Sequence, residues 1–169
     1  MSIEFSGLDE LLESLDSIAD IDRVKGALGK ASALVERDAK IKAQSFGGNG
    51  DLSDSIKSTI ETDGENIKGV VFTPLEYAPY VEYGTGLFRE ENPQAGYWVY
   101  VKNGDSSKKA MSSKRYTLAE AKRIVALMRA EGLDATYTQG RHPTPYMRPA
   151  LDENRDQILR ILKEGLYND

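Results

Sequence analysis

Residues 55–73 read SIKSTIETDGENIKGVVFT. Two runs rich in β-branched residues, Ser55–Glu61 and Ile67–Thr73, flank Asp63-Gly64-Glu65-Asn66. Asp-Gly tolerates the positive backbone angles of a tight turn, and β-branched side chains suit a pleated surface. The stretch therefore predicts an antiparallel hairpin. Pro74 ends its second strand, because proline has no N–H to give to a ladder. Helical patterns stand on both sides of this hairpin. The class expected is α+β: a small, mostly antiparallel sheet flanked by N-terminal helices and a C-terminal helix.

Upstream, Ser6 with Asp9 three positions on forms a short capping box, and Leu8, Leu11, Leu12, Leu15 and Ile18 follow helical spacing. Asp20 or Asp22 caps a second helix, whose apolar stripe is Val24, Ala27, Leu28, Ala31, Leu34, Val35 and Ile41. Burial of the first stripe's large residues contributes roughly 1.5–3 kcal/mol each, on the order of 10 kcal/mol together. Ordering the backbone costs roughly 1–2 kcal/mol per residue, which exceeds that gain over about fourteen residues. The first helix thus needs the rest of the fold or a neighbouring subunit. Gly47-Gly48-Asn49-Gly50 ends the helical stretch. It lacks the Gly-Lys-Ser/Thr of a phosphate-binding loop and reads as a mobile loop.

Downstream, Tyr97–Val101 is a strand candidate and Asn103–Arg115 a polar loop, expected to be mobile and the first target of trypsin. Thr117-Leu118-Ala119-Glu120 is a capping box. Ala121, Ile124, Val125 and Met128 share one helical face, and Gly132 stands where a left-handed C-terminal residue belongs. Leu133, Ala135 and Tyr137 alternate with polar residues as in a half-buried strand. Residues 97–138 thus form a βαβ-like insertion in a single domain spanning 1–169, with a right-handed crossover if its strands run parallel. His142-Pro143-Thr144-Pro145 is rigid and extended. Pro149 suits the first turn of a final helix that buries Leu151, Ile158, Leu162 and Leu166.

No apolar run could span a membrane, and the acidic N-terminus lacks the pattern of a signal peptide, so synthesis in a cytoplasm is expected. The absence of cysteine removes disulfides, thiolate catalysis and cysteine-bound metals together. The net charge of −5 conceals two poles: Met1–Arg23 carries seven acids and one base, Lys102–Arg129 eight bases and two acids. Such poles suit head-to-tail self-association as well as ordinary solvated faces.

His142, the only histidine, stands alone in an extended segment with no partner pattern for acid–base or nucleophilic work. Glu90-Glu91 and Asp152-Glu153 are neighbours that point apart on a helix. No enzyme, cofactor or metal site is expected; a hydrolase using dispersed carboxylates is the remaining catalytic reading. Lys108, Lys109, Lys114 and Arg115 can contact phosphates, with Tyr97, Trp98 and Tyr100 as stacking faces. The more ordinary reading of the same residues is a solvated loop beside core aromatics, in a chain that is acidic overall. A small binding module for nucleic acid or cell wall, centred on 97–138, is the alternative function.

The densest aromatic stretch is residues 77–86, YAPYVEYGTG. With GDLSDSI at 50–56 before it and PYMRPAL at 145–151 after it, it resembles the HK-ninety-seven-type tail-component family of tailed bacteriophages, viewed as tail-completion or head–tail joining proteins. The resemblance covers most of the chain outside Tyr97–Thr138. It departs at Gly47-Gly48-Asn49, where the family often carries a proline and a threonine, and in the longer insertion. Over a short span, Glu120-Ala121 and Gly132-Leu133-Asp134-Ala135 are similar to peptidoglycan-binding sporulation-type modules. The phage resemblance implies a structural subunit of the virion neck or tail, made in the host cytoplasm. It implies a ring of copies, a hexamer when assembled, in contact with other neck and tail proteins and, non-specifically, with passing DNA. Tyr77, Tyr80, Glu82, Tyr83, Tyr146, Met147 and Arg148 are the candidate interface residues. Gly84, Gly86 and Pro149 are the positions expected to be backbone-critical. The tyrosines equally suit a role in the domain's own core.

Overall fold

The computed structural model describes residues 2–4, 21–46, 50–63, 66–102 and 114–167. The expected first helix over Leu8–Ile18 and the loop residues Gly47, Gly48 and Asn49 lie outside them. The chain divides into two compact units, one of residues 1–78 with 145–169 and the other of residues 79–144.

In the first unit, β1 (Ser2–Glu4), β2 (Lys57–Asp63) and β3 (Asn66–Phe72) form an antiparallel sheet in the order β1-β3-β2. The hairpin register pairs Lys57 with Phe72 and Asp63 with Asn66, as expected for the two strands read from sequence; Gly64 and Glu65 lie outside the described residues. Its first strand starts two residues later than expected, because Asp51–Ser55 is a short helix, α2. Gly50 leads into α2 at φ 84°, a left-handed angle that suits glycine. Leu52, Ser53 and Ile56 are buried, so the GDLSDSI element is a packed corner of the fold. Ser55 Oγ and Thr73 Oγ1, 2.7 Å apart, share a hydrogen bond between this corner and the chain just past β3.

The long helix α1 (Ile21–Gln44) packs against the sheet and against both C-terminal helices, α5 (Met147–Asp152) and α6 (Arg155–Tyr167). Its buried face, Ala27, Leu28, Ala31, Leu34, Val35, Ala39 and Ala43, is rich in small residues that let neighbours come close. A Cβ added at Gly165 of α6 would lie only 2.7 Å from Ala27 Cβ. Ile41, expected on that face, is instead 57% exposed. At 3.6 residues per turn it lies about 160° around the helix from Ala39 and from Ala43. Solvent-side pairs support α1: Lys40 Nζ is 2.6 Å from Glu36 Oε1, and Lys42 Nζ is 2.7 Å from Glu153 Oε2. The expected single final helix is interrupted after Asp152. There the Asn154 side-chain amide donates to Ala150 O (2.8 Å) and to Asp38 Oδ2 (2.9 Å) on α1.

The second unit contains α3 (Ala78–Tyr83, whose first residue belongs to the first unit), a single 3-10 turn at Gly86–Phe88, β4 (Trp98–Val101), α4 (Leu118–Ala130) and β5 (Ala135–Thr138). α4 begins with the predicted capping box: Thr117 Oγ1 accepts from Glu120 N–H (3.3 Å), and Glu120 Oε2 accepts from Thr117 N–H (2.8 Å). Thr117 backbone and hydroxyl hydrogen bonds hold the Glu120 carboxyl below its ordinary range. The helix ends in a Schellman motif, with Leu133 N–H donating to Met128 O and Gly132 N–H to Arg129 O (both 3.0 Å) at a Gly132 φ of 84°. β4 and β5 pair antiparallel, Trp98 opposite Thr138, so the right-handed crossover of a parallel pair does not arise. Val99, Ala121, Val125, Met128 and Ala135 form this unit's own buried cluster, with Tyr97, Tyr116 and Tyr137 packed around it. Among the described residues no helix is long and apolar enough to cross a membrane.

Candidate assembly interface

The YAPYVEYGTG stretch begins with Tyr77 stacked on Phe46, ring centroids 6.5 Å apart and planes 21° from parallel. Ala78 N–H donates to Leu75 O, and Pro79 occupies the first turn of α3, where its missing N–H leaves no helical bond unmade. Ala78, Val81 and Glu82 are buried, whereas Tyr80 is 57% exposed and Tyr77 39% exposed. Tyr83 is half-buried. The tyrosines thus divide, with Tyr80 presenting the most surface.

After α3 the chain is clasped to residues 139–144. Thr85 N–H donates to Arg141 O and Leu87 N–H to Gln139 O, both at 2.9 Å. Arg141 N–H returns a bond to Thr85 Oγ1 (2.9 Å), and Thr144 N–H donates to Val81 O (2.8 Å). Within the loop, Gln94 N–H donates to Gly86 O (2.8 Å) and Glu90 N–H to Tyr83 O (3.0 Å). Three glycines at positive φ make this approach possible: Gly84 at 75°, Gly86 at 63° and Gly140 at 124°. A Cβ at Gly84 would sit 2.7 Å from Phe88 O and 2.9 Å from Arg141 O; one at Gly140 would sit 2.7 Å from the Thr85 carbonyl carbon. At Gly86 it would strike Gln139 O and the Trp98 ring. The backbones therefore touch where the side chains are absent.

The clasp holds a set of side chains in fixed positions. Leu87 is 41% exposed on the 3-10 turn beside it. Phe88 lies against the exposed His142, centroids 3.8 Å apart and planes 31° from parallel. Trp98, against Gly86, also lies under the Arg115 guanidinium, whose centre is 4.5 Å from the ring. Arg115 additionally donates to Gln94 Oε1. This places Arg115 in an intramolecular stack and leaves the Trp98 ring covered by it, unlike the free phosphate and stacking contacts considered from sequence. Lys114 Nζ stands 5.7 Å over the Tyr116 ring and is exposed; Lys108 and Lys109 lie outside the described residues.

The other candidate positions fall elsewhere. Tyr146 and Met147, with no exposed surface, and Glu82 are buried within this chain, a placement that matches the core role also read for the tyrosines from sequence. Arg148 and Pro149 are half-buried in the first turn of α5. Two contributors went unread in the sequence: Gly140, whose only signal is a glycine between two long side chains, and Leu87, an apolar residue directly after YGTG. In the first unit the notable carboxylate is Glu36. Its Oε2 accepts from Ser58 N–H (2.8 Å) and Ser58 Oγ (2.6 Å), tying α1 to the outer edge of β2. Partial burial opposes its ionisation, but the bonds from Lys40 and Ser58 outweigh that and hold the carboxyl below its ordinary range. Among the described residues no cluster of three or more His, Asp or Glu could hold a metal.

Residues 9–84 match the family model described as "Bacteriophage HK97-gp10, putative tail-component". The resemblance read from GDLSDSI and YAPYVEYGTG is borne out over that range, which ends on Gly84, the first glycine of the clasp. No curated protein and no solved structure matches the chain.

Proposed function

We propose that this chain is a non-enzymatic structural subunit of a tailed-phage neck, completing the tail and joining it to the head as one member of a ring. The observation that carries the reading is the match of residues 9–84 to a phage tail-component family. The geometry adds a physical reason. A tyrosine exposed on a short helix that is hydrogen-bonded into a doubly strapped loop loses little entropy on docking, and tyrosine joins a large apolar face to a polar tip. The work is done by surfaces: copies of the chain meet around a hexameric ring, neck and tail proteins stack above and below, and exposed lysines such as Lys114 face the passing DNA without reading its sequence. The protein resides in the virion and is made in the host cytoplasm.

The test is complementation of a phage lacking the gene. Tyr80→Ser with Leu87→Ser removes two exposed apolar groups of the second unit and leaves its buried cluster intact. Truncating central interface anchors typically costs about 2 kcal/mol or more each in binding. The double variant should fold, yet leave filled heads and finished tails unjoined in electron micrographs. Normal numbers of infectious particles would remove this surface from the joint.

A further inference from the structure

The helix α4 buries Ala121, Val125 and Met128 and turns Ala119, Lys122, Arg123, Ala126, Leu127 and Ala130 to solvent. Leu127 is 59% exposed, and the alanines around it let a second element approach at short range. Lys122, Arg123 and Arg129 make this a basic helix, whose one acid, Glu120, is engaged by Thr117 in the cap. The same chain contains the complement. Residues 8–18 read LDELLESLDSI, outside the described residues, with leucines and isoleucine at helical spacing and Asp9, Glu10, Glu13 and Asp16 among them. Its apolar stripe does not repay the entropy of ordering it alone. Its length as a helix, about 16 Å, fits within the roughly 20 Å of α4.

We infer that the exposed face of α4 receives residues 8–18 of a second copy of this chain, leucines against Leu127 and its alanines, acids against Lys122 and Arg123. The inference rests on the ring reading above and specifies one contact of it: each copy offers an acidic segment to one neighbour and a basic helix to the other. Such a contact is heterologous, and it closes into a ring when the rotation between copies permits.

The chain has no cysteine, so introduced thiols report the contact cleanly. Full-length Leu12→Cys and Leu127→Cys proteins, carrying tags of different size, are mixed under mild oxidation. The expected product is the mixed disulfide-linked dimer, in a yield that falls with added salt. Arg123→Glu in the Leu127→Cys chain should lower that yield about tenfold by replacing attraction with repulsion. Glu13→Arg in the Leu12→Cys chain should restore it. Lys122→Glu is the second variant, and circular dichroism confirms that each chain is folded. No mixed dimer, a dimer indifferent to Arg123→Glu, or an intramolecular disulfide alone in the Leu12→Cys, Leu127→Cys double variant would each overturn the inference. Loss of joining in the Tyr80, Leu87 variant alongside any of those results would sink this contact and leave the neck-subunit reading standing.

Discussion

Replacing Gly84 by valine tests the clasp at its tightest point. Gly84 sits at φ 75°, where an L-residue pays roughly 1–2 kcal/mol in backbone strain and a β-branched one more. The added Cβ would also stand 2.7 Å from Phe88 O, 2.9 Å from Arg141 O and 2.9 Å from Pro143 Cδ. Two of those neighbours are backbone atoms, so relief requires moving the chain, at a further cost of about 1–3 kcal/mol. The sum, about 2–5 kcal/mol, is a large fraction of the roughly 5–15 kcal/mol that holds a protein folded. It corresponds to a fall in melting temperature of about 4–20 °C for a chain of this size. Two controls separate the contributions. Gly132→Ala has a similar φ of 84° but open space around the added Cβ, so it bears only the strain, about 1–2 kcal/mol. Gly26→Ala lies within α1 with open space and no positive φ, and should stabilise by about 0.5–1 kcal/mol. Thermal melts rank the three. Hydrogen exchange locates the damage, since the Thr85 and Leu87 amides depend on Arg141 O and Gln139 O. A Gly84→Val protein that melts with Gly132→Ala and keeps those amides protected would refute the close approach of the two backbones.

Two further changes probe the first unit. Ser32 Oγ is buried with no hydrogen-bond partner among the described residues, so Ser32→Ala, which also improves helix propensity, should stabilise by about 0.5–2 kcal/mol in denaturant titrations. Glu36 has a folded-state pKa below its ordinary 4.5, so the unfolded chain takes up the proton first as pH falls; its stabilisation is present above about pH 4.5 and is lost as pH drops through the folded value. Glu36→Gln should therefore flatten the acid limb of the stability profile, and an unchanged limb would mean that the Ser58 and Lys40 bonds contribute nothing.

Much of the fold was legible because its signals are local. Asp-Gly between β-branched runs made the hairpin, Thr117 with Glu120 capped α4, and Gly132 closed it, all within a few residues. Ile41 was misread because apolarity alone does not say which way a residue points after five turns of helix. At the break after Asp152, Asn154 bonds Asp38, a partner far away in sequence and invisible to periodicity. The same limit governs the candidate site. Tyrosine density marked α3, but only tertiary placement separates the exposed Tyr80 from the buried Tyr146. Gly140 acquires its meaning solely from the clasp it makes with Thr85 and Gly86.

The central claim, that the chain joins head to tail, is tested most directly by deleting its gene from the phage and examining the lysate by electron microscopy. The account predicts DNA-filled heads and finished tails present separately, with infectivity restored when the full-length protein is supplied. Intact, infectious, tailed particles from the deletion would contradict it.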